Sequence, residues 1–154
     1  MDAQILAVTE LIQQVRFRLR VDRLGTWSKE LEGIQLLDLH ILKLVEQRPE
    51  IILKEIRQEL NIPHSTLTSA INRLGVRGLV TRKISQRDLR SFGLILTKNG
   101  CNTRKEHDRI DNLIATKVLE ALDNEEERKV LTSLLEKINK ALRDEKLIMA
   151  SEPD

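Results

Sequence analysis

Apolar side chains recur at intervals of three and four residues along most of this chain, which is the spacing of helices with one buried face. Near the start they form one stripe on a helix predicted over about residues 3–21: Ile5, Val8, Ile12, Val15 and Leu19. Two glycines interrupt residues 22–37, which predicts a loop with at most a short helix. The stripe resumes after Asp38, the expected N-cap of a helix that Pro49 should close.

Two helices separated by a short turn are predicted next. The first covers about residues 53–60 and should pack through Ile56 and Leu60. Pro63 suits the first turn of the second helix, and Ser65 is a candidate N-cap. The inward stripe of this second helix consists of Leu67, Ala70, Ile71 and Leu74. Two helices around a tight turn are typical of a helix-turn-helix, which places its second helix against DNA.

The outward face of that second helix is polar and carries no acid. At 100° per residue, it presents or flanks the following positions: Ser65, Thr66, Thr68, Ser69, Asn72, Arg73 and Val76. Ordinary exposed helix faces carry Lys and Glu, whereas no acid occurs between Asn61 and Arg87. Small hydroxyl side chains allow a close approach to phosphates, and Asn and Arg can bond base edges. We expect His64, which opens the helix, to touch a phosphate.

Alternating residues after Gly78 predict a hairpin with a charged tip. Residues 79–84 and 92–96 favour antiparallel strands, and residues 85–91 join them. Charges at a sheet edge can serve only to discourage aggregation. Two arginines around a single acid favour a more specific role, in which Asp88 holds the tip in shape while Arg90 reaches into a minor groove.

Two long amphipathic helices are predicted at the end of the chain. Thr97 should cap a helix over about residues 98–122, and Asp123 or Asn124 should cap the last one. The apolar stripe of the last helix consists of Val130, Leu131, Leu134, Leu135, Ile138 and Leu142. With the first helix, these stripes exceed what a small winged helix can bury, which predicts a twofold homodimer. A coiled coil with a different protein is the alternative.

Charge is distributed unevenly along the chain. Residues 61–98 contain seven Lys or Arg and one acid, a net of +6, whereas the whole chain has a net charge of only +2. The remaining residues therefore sum to −4. Positive charge gathered on one short segment indicates a phosphate-binding surface, although a solvated basic face without a partner has the same composition.

Other features exclude several classes of protein. The single cysteine, Cys101, forms no intramolecular disulfide and indicates a reducing compartment. The start has no signal-peptide pattern, and no apolar run approaches the ~18 residues of a membrane span. We therefore expect a cytoplasmic protein without membrane contact. Motifs of nucleophile elbows, phosphate loops and zinc proteases are missing, so we expect no enzyme and no cofactor. His107 and Asp111 share a helix face but are more simply a solvated pair, so no metal site is predicted.

Four short motifs make the chain similar to the MarR family of bacterial and archaeal transcriptional regulators. They are Ser65-Thr66-Leu67-Thr68, Gly78-Leu79-Val80-Thr81-Arg82, Asp88-Leu89-Arg90-Ser91 and Leu96-Thr97-Lys98-Asn99-Gly100. The resemblance implies a mainly helical fold with a small β-wing: a winged helix-turn-helix with N- and C-terminal dimerisation helices. The DNA-binding lobe would cover residues 36–100, and residues 1–35 and 101–150 would form the dimerisation region.

The same resemblance implies a homodimeric repressor on a palindromic operator in double-stranded DNA. Each recognition helix would enter a major groove, and each Arg90 a minor groove. The predicted DNA-binding residues are Ser65, Thr66, Thr68, Ser69, Asn72, Arg73, Lys83, Arg87 and Arg90. Many members respond to small anionic or phenolic effectors, but this chain has few aromatic residues to stack a phenol, and the effector's identity does not follow from the sequence. Leu89 also replaces an arginine usual in the family's wing tip.

Two alternatives to a DNA-binding repressor remain open. A winged helix can act as a protein-interaction module that leaves DNA alone. A thiol near a helix N-terminus, as Cys101 is predicted to be, can act as a redox sensor, although the chain has no second cysteine to form a disulfide with it.

Overall fold

The computed structural model describes residues 2–21 and 23–144, with side chains described up to Leu142. Its elements are α1 (Ala3–Leu19), two 3-10 turns (Leu24–Thr26 and Lys29–Leu31), α2 (Leu36–Gln47), α3 (Leu53–Leu60), α4 (His64–Val76), β1 (Val80–Ile84), β2 (Phe92–Leu96), α5 (Lys98–Glu120) and α6 (Glu125–Asp144). The predicted fold class, mainly helical with a small β-wing, is confirmed.

The chain divides into two compact units, one up to Asn112 and one from Leu113 onward. The first unit contains the helix-turn-helix and the hairpin, and the second contains the end of α5 and all of α6. The predicted boundaries of the lobe at 36–100 and of its helical flanks stay a prediction, and residues 145–150 of the C-terminal flank lie outside the described part. No helix among the described residues is long and apolar enough to cross a membrane.

The core of the first unit lies beneath α2, α3, α4 and the hairpin. Its buried side chains are aliphatic: Leu39, Ile41, Leu42, Val45, Ile56, Leu67, Ala70, Ile71, Leu74 and Leu94. The predicted inward stripe of α4 is therefore confirmed. Asn61 ends α3 in a left-handed conformation with φ of 49°, and its backbone N–H donates to the carbonyl of Arg57. This tight reversal sets α4 against α3 in a helix-turn-helix.

Two predicted helix caps were wrong. Ser65 is the second residue of α4, because Pro63 takes the N-cap position and its carbonyl accepts the first helical bond, from the N–H of Leu67 at 3.1 Å. Asp38 lies inside the first turn of α2, which begins at Leu36. Its carboxylate still accepts from the N–H of Gln35, at 3.4 Å, but its main partner is on another helix.

The hairpin forms the wing and is anchored to the lobe. β1 and β2 pair antiparallel, from Val80 opposite Leu96 to Ile84 opposite Phe92, and Ile52 makes a further bridge to Gly93. A side chain at Gly93 would place its Cβ only 2.9 Å from the carbonyl oxygen of Ile51. Glycine is required there because the chain before α3 crosses so close to β2.

The end of the wing is joined to the start of α5 through Thr97. Its hydroxyl donates to the carbonyl of Gly78, at 2.5 Å, and accepts from the backbone N–H of Gly100, at 3.0 Å. The predicted cap at Thr97 is thus confirmed. At the start of α6, the side chain of Asn124 accepts from the N–H of Glu127, at 3.0 Å, which selects Asn124 as the cap.

The terminal helices leave broad apolar faces uncovered within their own units. In the first unit, exposed side chains of α1 include Ile5, Leu11, Ile12, Val15 and Phe17. In the second unit, those of α6 are Val130, Leu134, Leu135, Ile138 and Leu142. Apolar surface of this extent on a water-exposed helix calls for a covering surface.

Candidate nucleic-acid interface

The outward face of α4 presents three of the predicted DNA-binding residues to solvent. Ser65, Ser69 and Asn72 are exposed, while Thr66 and Thr68 are half-buried beside them. The hydroxyl of Thr68 donates to the carbonyl of His64, at 3.0 Å, so this donor is already used within the helix. The face that remains is small, polar and without acid, as the sequence indicated.

Arg73 does not share that face. Its guanidinium turns toward α2, where Nη2 lies 2.7 Å from Oδ1 of Asp38 and Nε lies 3.3 Å from Oδ2. The Asp38 side chain is 2% exposed, so its charge needs a partner within the protein. This pair ties α4 to α2 and gives Arg73 a structural role.

We expect Arg73→Ala to lower the free energy of unfolding by about 1–3 kcal/mol, because the buried Asp38 carboxylate loses its ionic partner. The measurement is urea unfolding at neutral pH. Asn72→Ala, at the adjacent exposed position, is the control and should change stability by less than about 0.5 kcal/mol. If Arg73→Ala keeps full stability and instead alters base preference, Arg73 reads DNA and the ion pair is dispensable.

The wing tip is organised by Asp88. One carboxylate oxygen accepts from the backbone N–H of Arg90, at 3.0 Å, and the other from the hydroxyl of Ser91, at 2.7 Å. The Ser91 hydroxyl and then the Arg90 N–H hold the pKa of Asp88 below its ordinary value. The predicted role of Asp88 in shaping the tip is confirmed. Among the described residues, no carboxylate pairs with the Arg90 side chain, which projects from the tip into solvent.

Lys83 and Arg87 are bound to the lobe by ion pairs. Nζ of Lys83 lies 2.8 Å from the carboxylate of Glu50, and Nη2 of Arg87 lies 2.7 Å from that of Glu55. Glu55 also accepts from the N–H of Ile52, at 3.1 Å, and so caps α3. The bond from Arg87, with this backbone bond, lowers the pKa of Glu55. These two predicted DNA contacts instead connect the wing to α3 and to the segment before it.

A group of cations beside α4 was missed by the sequence analysis. Lys54, Arg57 and Arg82 line a surface depression of about 630 Å³, together with His64. Lys54 and Arg57 are three residues apart on α3, a spacing that places them on one helix face. The signal was visible in the sequence, but charge was counted only from residue 61 onward.

The histidine and aspartate considered as metal ligands belong to an ion-pair network. Nε2 of His107 lies 3.4 Å from Asp111, and Asp108 is close by. The buried guanidinium of Arg104 bonds Nδ1 of His107, at 3.0 Å, and the carboxylates of Asp108 and of Glu46 on α2. Because a guanidinium only donates, Nδ1 is the acceptor and Nε2 carries the proton toward Asp111. That tautomer opposes metal binding through Nε2, and the network instead joins α5 to α2.

A second depression, of about 930 Å³, lies near the end of α1. Leu24, Leu31 and Ile34 supply apolar lining, and Arg16 and Arg23 supply positive charge. The indole N–H of Trp27, the only tryptophan of the chain, donates to the carbonyl of Leu19 at 2.9 Å, next to this depression.

Comparison with known families agrees with this geometry. Residues 32–91 match the family model described as MarR family, which spans the helix-turn-helix and the wing up to Ser91. The resemblance drawn from the four sequence motifs is therefore confirmed. No curated protein matches the chain.

Solved structures show the same fold over nearly the whole chain. FabT of Streptococcus pneumoniae in complex with DNA is 23% identical with a TM-score of 0.79, covering 94% of this chain and 100% of its own. A MarR protein from Peptoclostridium difficile is 25% identical with a TM-score of 0.70, covering 94% and 91%. The regulator PcaV from Streptomyces coelicolor, in complex with its natural ligand, is 19% identical with a TM-score of 0.62, covering 87% and 90%.

Proposed function

Residues 32–91 are the winged helix-turn-helix of a MarR-family DNA-binding transcriptional regulator, and we propose that the chain acts as a homodimeric repressor on a palindromic operator. The observation that carries this proposal is the exposed face of α4. Ser65, Ser69 and Asn72 offer hydroxyl and amide groups on a helix without acids, beside a wing whose Arg90 lacks a carboxylate partner. A surface of this kind complements the polar edges and phosphates of a major groove.

The homodimer is proposed from the uncovered apolar faces of α1 and α6. A second copy of the chain would bury both faces, and a twofold axis would present two α4 helices to two half-sites. A palindromic operator has the same symmetry, which is why we propose it as the target. FabT, solved with DNA, supports DNA as the ligand of this fold.

We also propose that the second depression binds a small-molecule effector. PcaV was solved with its natural ligand, and the two arginines of the depression favour an anion. Trp27 provides the test, because its indole lies beside the lining residues. Titration of aromatic carboxylates should change its fluorescence in the wild type and much less in an Arg23→Gln variant; an unchanged signal throughout would contradict an effector site here.

The experiment that tests the function is selection of bound duplexes from a random pool, combined with a salt titration. A repressor of this type should enrich an inverted repeat, and its affinity should fall steeply as salt rises. A protein-interaction module, the alternative, would retain no DNA and show no salt dependence. The selected sequence would also serve as the operator in every test below.

We expect Arg90→Ala to weaken operator binding by about 1–3 kcal/mol, with part of the loss at the minor-groove positions flanking each half-site. The free guanidinium at the ordered wing tip is the reason. A gel-shift titration at physiological salt measures the effect. Arg109→Ala is the matched control, because Arg109 is paired with Glu106 on α5. Equal affinity of the Arg90 variant and the wild type would remove the wing tip from recognition.

Asn72→Ala should flatten the base preference at one or two positions per half-site, because Asn can bond adenine through two hydrogen bonds. Ser65→Ala should weaken binding to all sequences alike, since Ser65 lies in the first turn of α4, where phosphates are bound. Selection repeated with both variants distinguishes the two roles. Unchanged preferences with Asn72→Ala would mean that sequence is read through the shape of the DNA.

A further inference from the structure

The basic residues around α4 fall into two groups in the structure. Arg73, Lys83 and Arg87 are each held by a carboxylate at 2.7–2.8 Å. Lys54, Arg57 and Arg82 have no carboxylate partner among the described residues, although the chain has almost as many acids as bases. Their charges are therefore not neutralised within the part of the protein that the structure describes.

These three unpaired cations meet at one place. Lys54 and Arg57 come from α3, Arg82 comes from β1, and all three line the depression of about 630 Å³. Leu67 and Ile71 of α4 form its floor and are nearly fully buried, so the floor cannot move. His64, the first residue of α4, completes the rim.

The depression is continuous with the recognition face of α4. Nη2 of Arg82 lies 3.5 Å from the amide oxygen of Asn72, so the Arg82 side chain connects the rim to that face. A ligand in the depression would lie beside the bases that Asn72 is proposed to contact. Like charges gathered around one concave surface repel each other and attract an anion, which lowers that repulsion when it binds.

We propose that Lys54, Arg57 and Arg82 form a clamp for a phosphodiester group of double-stranded DNA beside each half-site. Lys83 and Arg87 make no phosphate contact, because they are committed to Glu50 and Glu55. The clamp rests on the proposed function, since it assumes that α4 binds a major groove. It assigns the electrostatic part of binding to residues on both sides of α4, whereas Asn72 supplies the sequence-dependent part.

The test compares Lys54→Gln, Arg57→Gln and Arg82→Gln with the matched variants Lys83→Gln and Arg87→Gln, which remove the same charge from paired residues. Affinity for the selected operator and for random duplex is measured between low and high salt, after thermal unfolding shows that each variant is folded. Each clamp variant should reduce the salt slope by about 0.9 per phosphate contact, hence by about twice that in a homodimer. Both duplexes should lose affinity by the same factor.

The two matched variants should keep the wild-type slope. Equal loss of slope in both groups would overturn the clamp, because total charge and not position would then decide. Unchanged slopes in the clamp variants would also overturn it while leaving DNA binding intact. A wild-type protein that binds no duplex at any salt would overturn the proposed function together with the clamp.

A free phosphate ion has the same chemistry as the backbone group, so a second arm separates the two sources. Operator binding is measured in sodium phosphate and in sodium chloride of equal ionic strength. Equal affinity in both salts supports the phosphodiester as the ligand. Stronger inhibition by phosphate that is lost in Arg57→Gln, with the salt slope of that variant unchanged, would assign the depression to a free anion and overturn the clamp.

Discussion

Replacing Leu134 and Ile138 together with aspartate is expected to abolish the proposed homodimer and to reduce operator affinity at least ~100-fold. The two side chains are one turn apart on α6 and about half exposed, at 52% and 53%. A carboxylate at either position would have to enter an apolar interface without a partner, which costs several kcal/mol. A monomer could contact only one half-site and would lose the gain in affinity that linkage of two sites provides, roughly 10²–10⁴.

Sedimentation equilibrium and gel-shift titration measure the two effects. Lys140→Asp is the control, because it produces the same net charge change on the opposite side of α6 and should leave the dimer intact. The dimer would need a different interface if the double variant sediments as a dimer and binds the operator with wild-type affinity. A second possibility, a monomer that keeps full affinity, would exclude a twofold complex as the form that binds.

Gly100→Ala is expected to destabilise the protein by about 3 kcal/mol, which is the upper part of the range for overpacked sites. The added Cβ would overlap the backbone carbonyl of Leu79, at the join between α4 and the wing. A backbone group cannot rotate away as a side chain can, so either α5 or β1 must shift. The hydrogen bonds of Thr97 to Gly78 and Gly100 cross this same join and would be strained.

Thermal and urea unfolding measure this effect, and Gly75→Ala provides the contrast. Gly75 lies within α4 and has nothing within 4 Å of an added Cβ, so alanine should stabilise the helix by about 0.5–1 kcal/mol. Opposite signs for the two glycine variants are the expected result. Similar small effects at both positions would show that Gly100 is not constrained by the Leu79 carbonyl.

The helices and strands could be predicted from the sequence because their patterns are local. The stripe of Leu67, Ala70, Ile71 and Leu74 has a helical period, and the bounds predicted for α3 agree with the structure. The same holds for the Thr97 cap, since a capping hydroxyl bonds a backbone group three residues away. Ser65 failed as a cap because the preceding Pro63 competed for the same position, and residue preferences alone did not rank the two.

The uncovered apolar faces were also visible in the sequence, since amphipathic helices without enough core to cover them show this in their spacing alone. The homodimer itself stays a prediction. For the wing tip, Asp88 and Arg90 are two residues apart, so their hydrogen bond is a local property as well.

What the sequence by itself determined is thus the set of helices and strands, the polar face of α4 and the accumulation of basic residues around it. Only the tertiary structure decided which of those cations remain free. Arg73 meets Asp38 from 35 positions away, and Arg87 meets Glu55 from 32 positions away. Pairing between charges so distant in sequence depends on how α2, α3 and the wing pack together. No spacing rule contains that information, because a charge is neutralised only by what folding brings within a few ångströms of it.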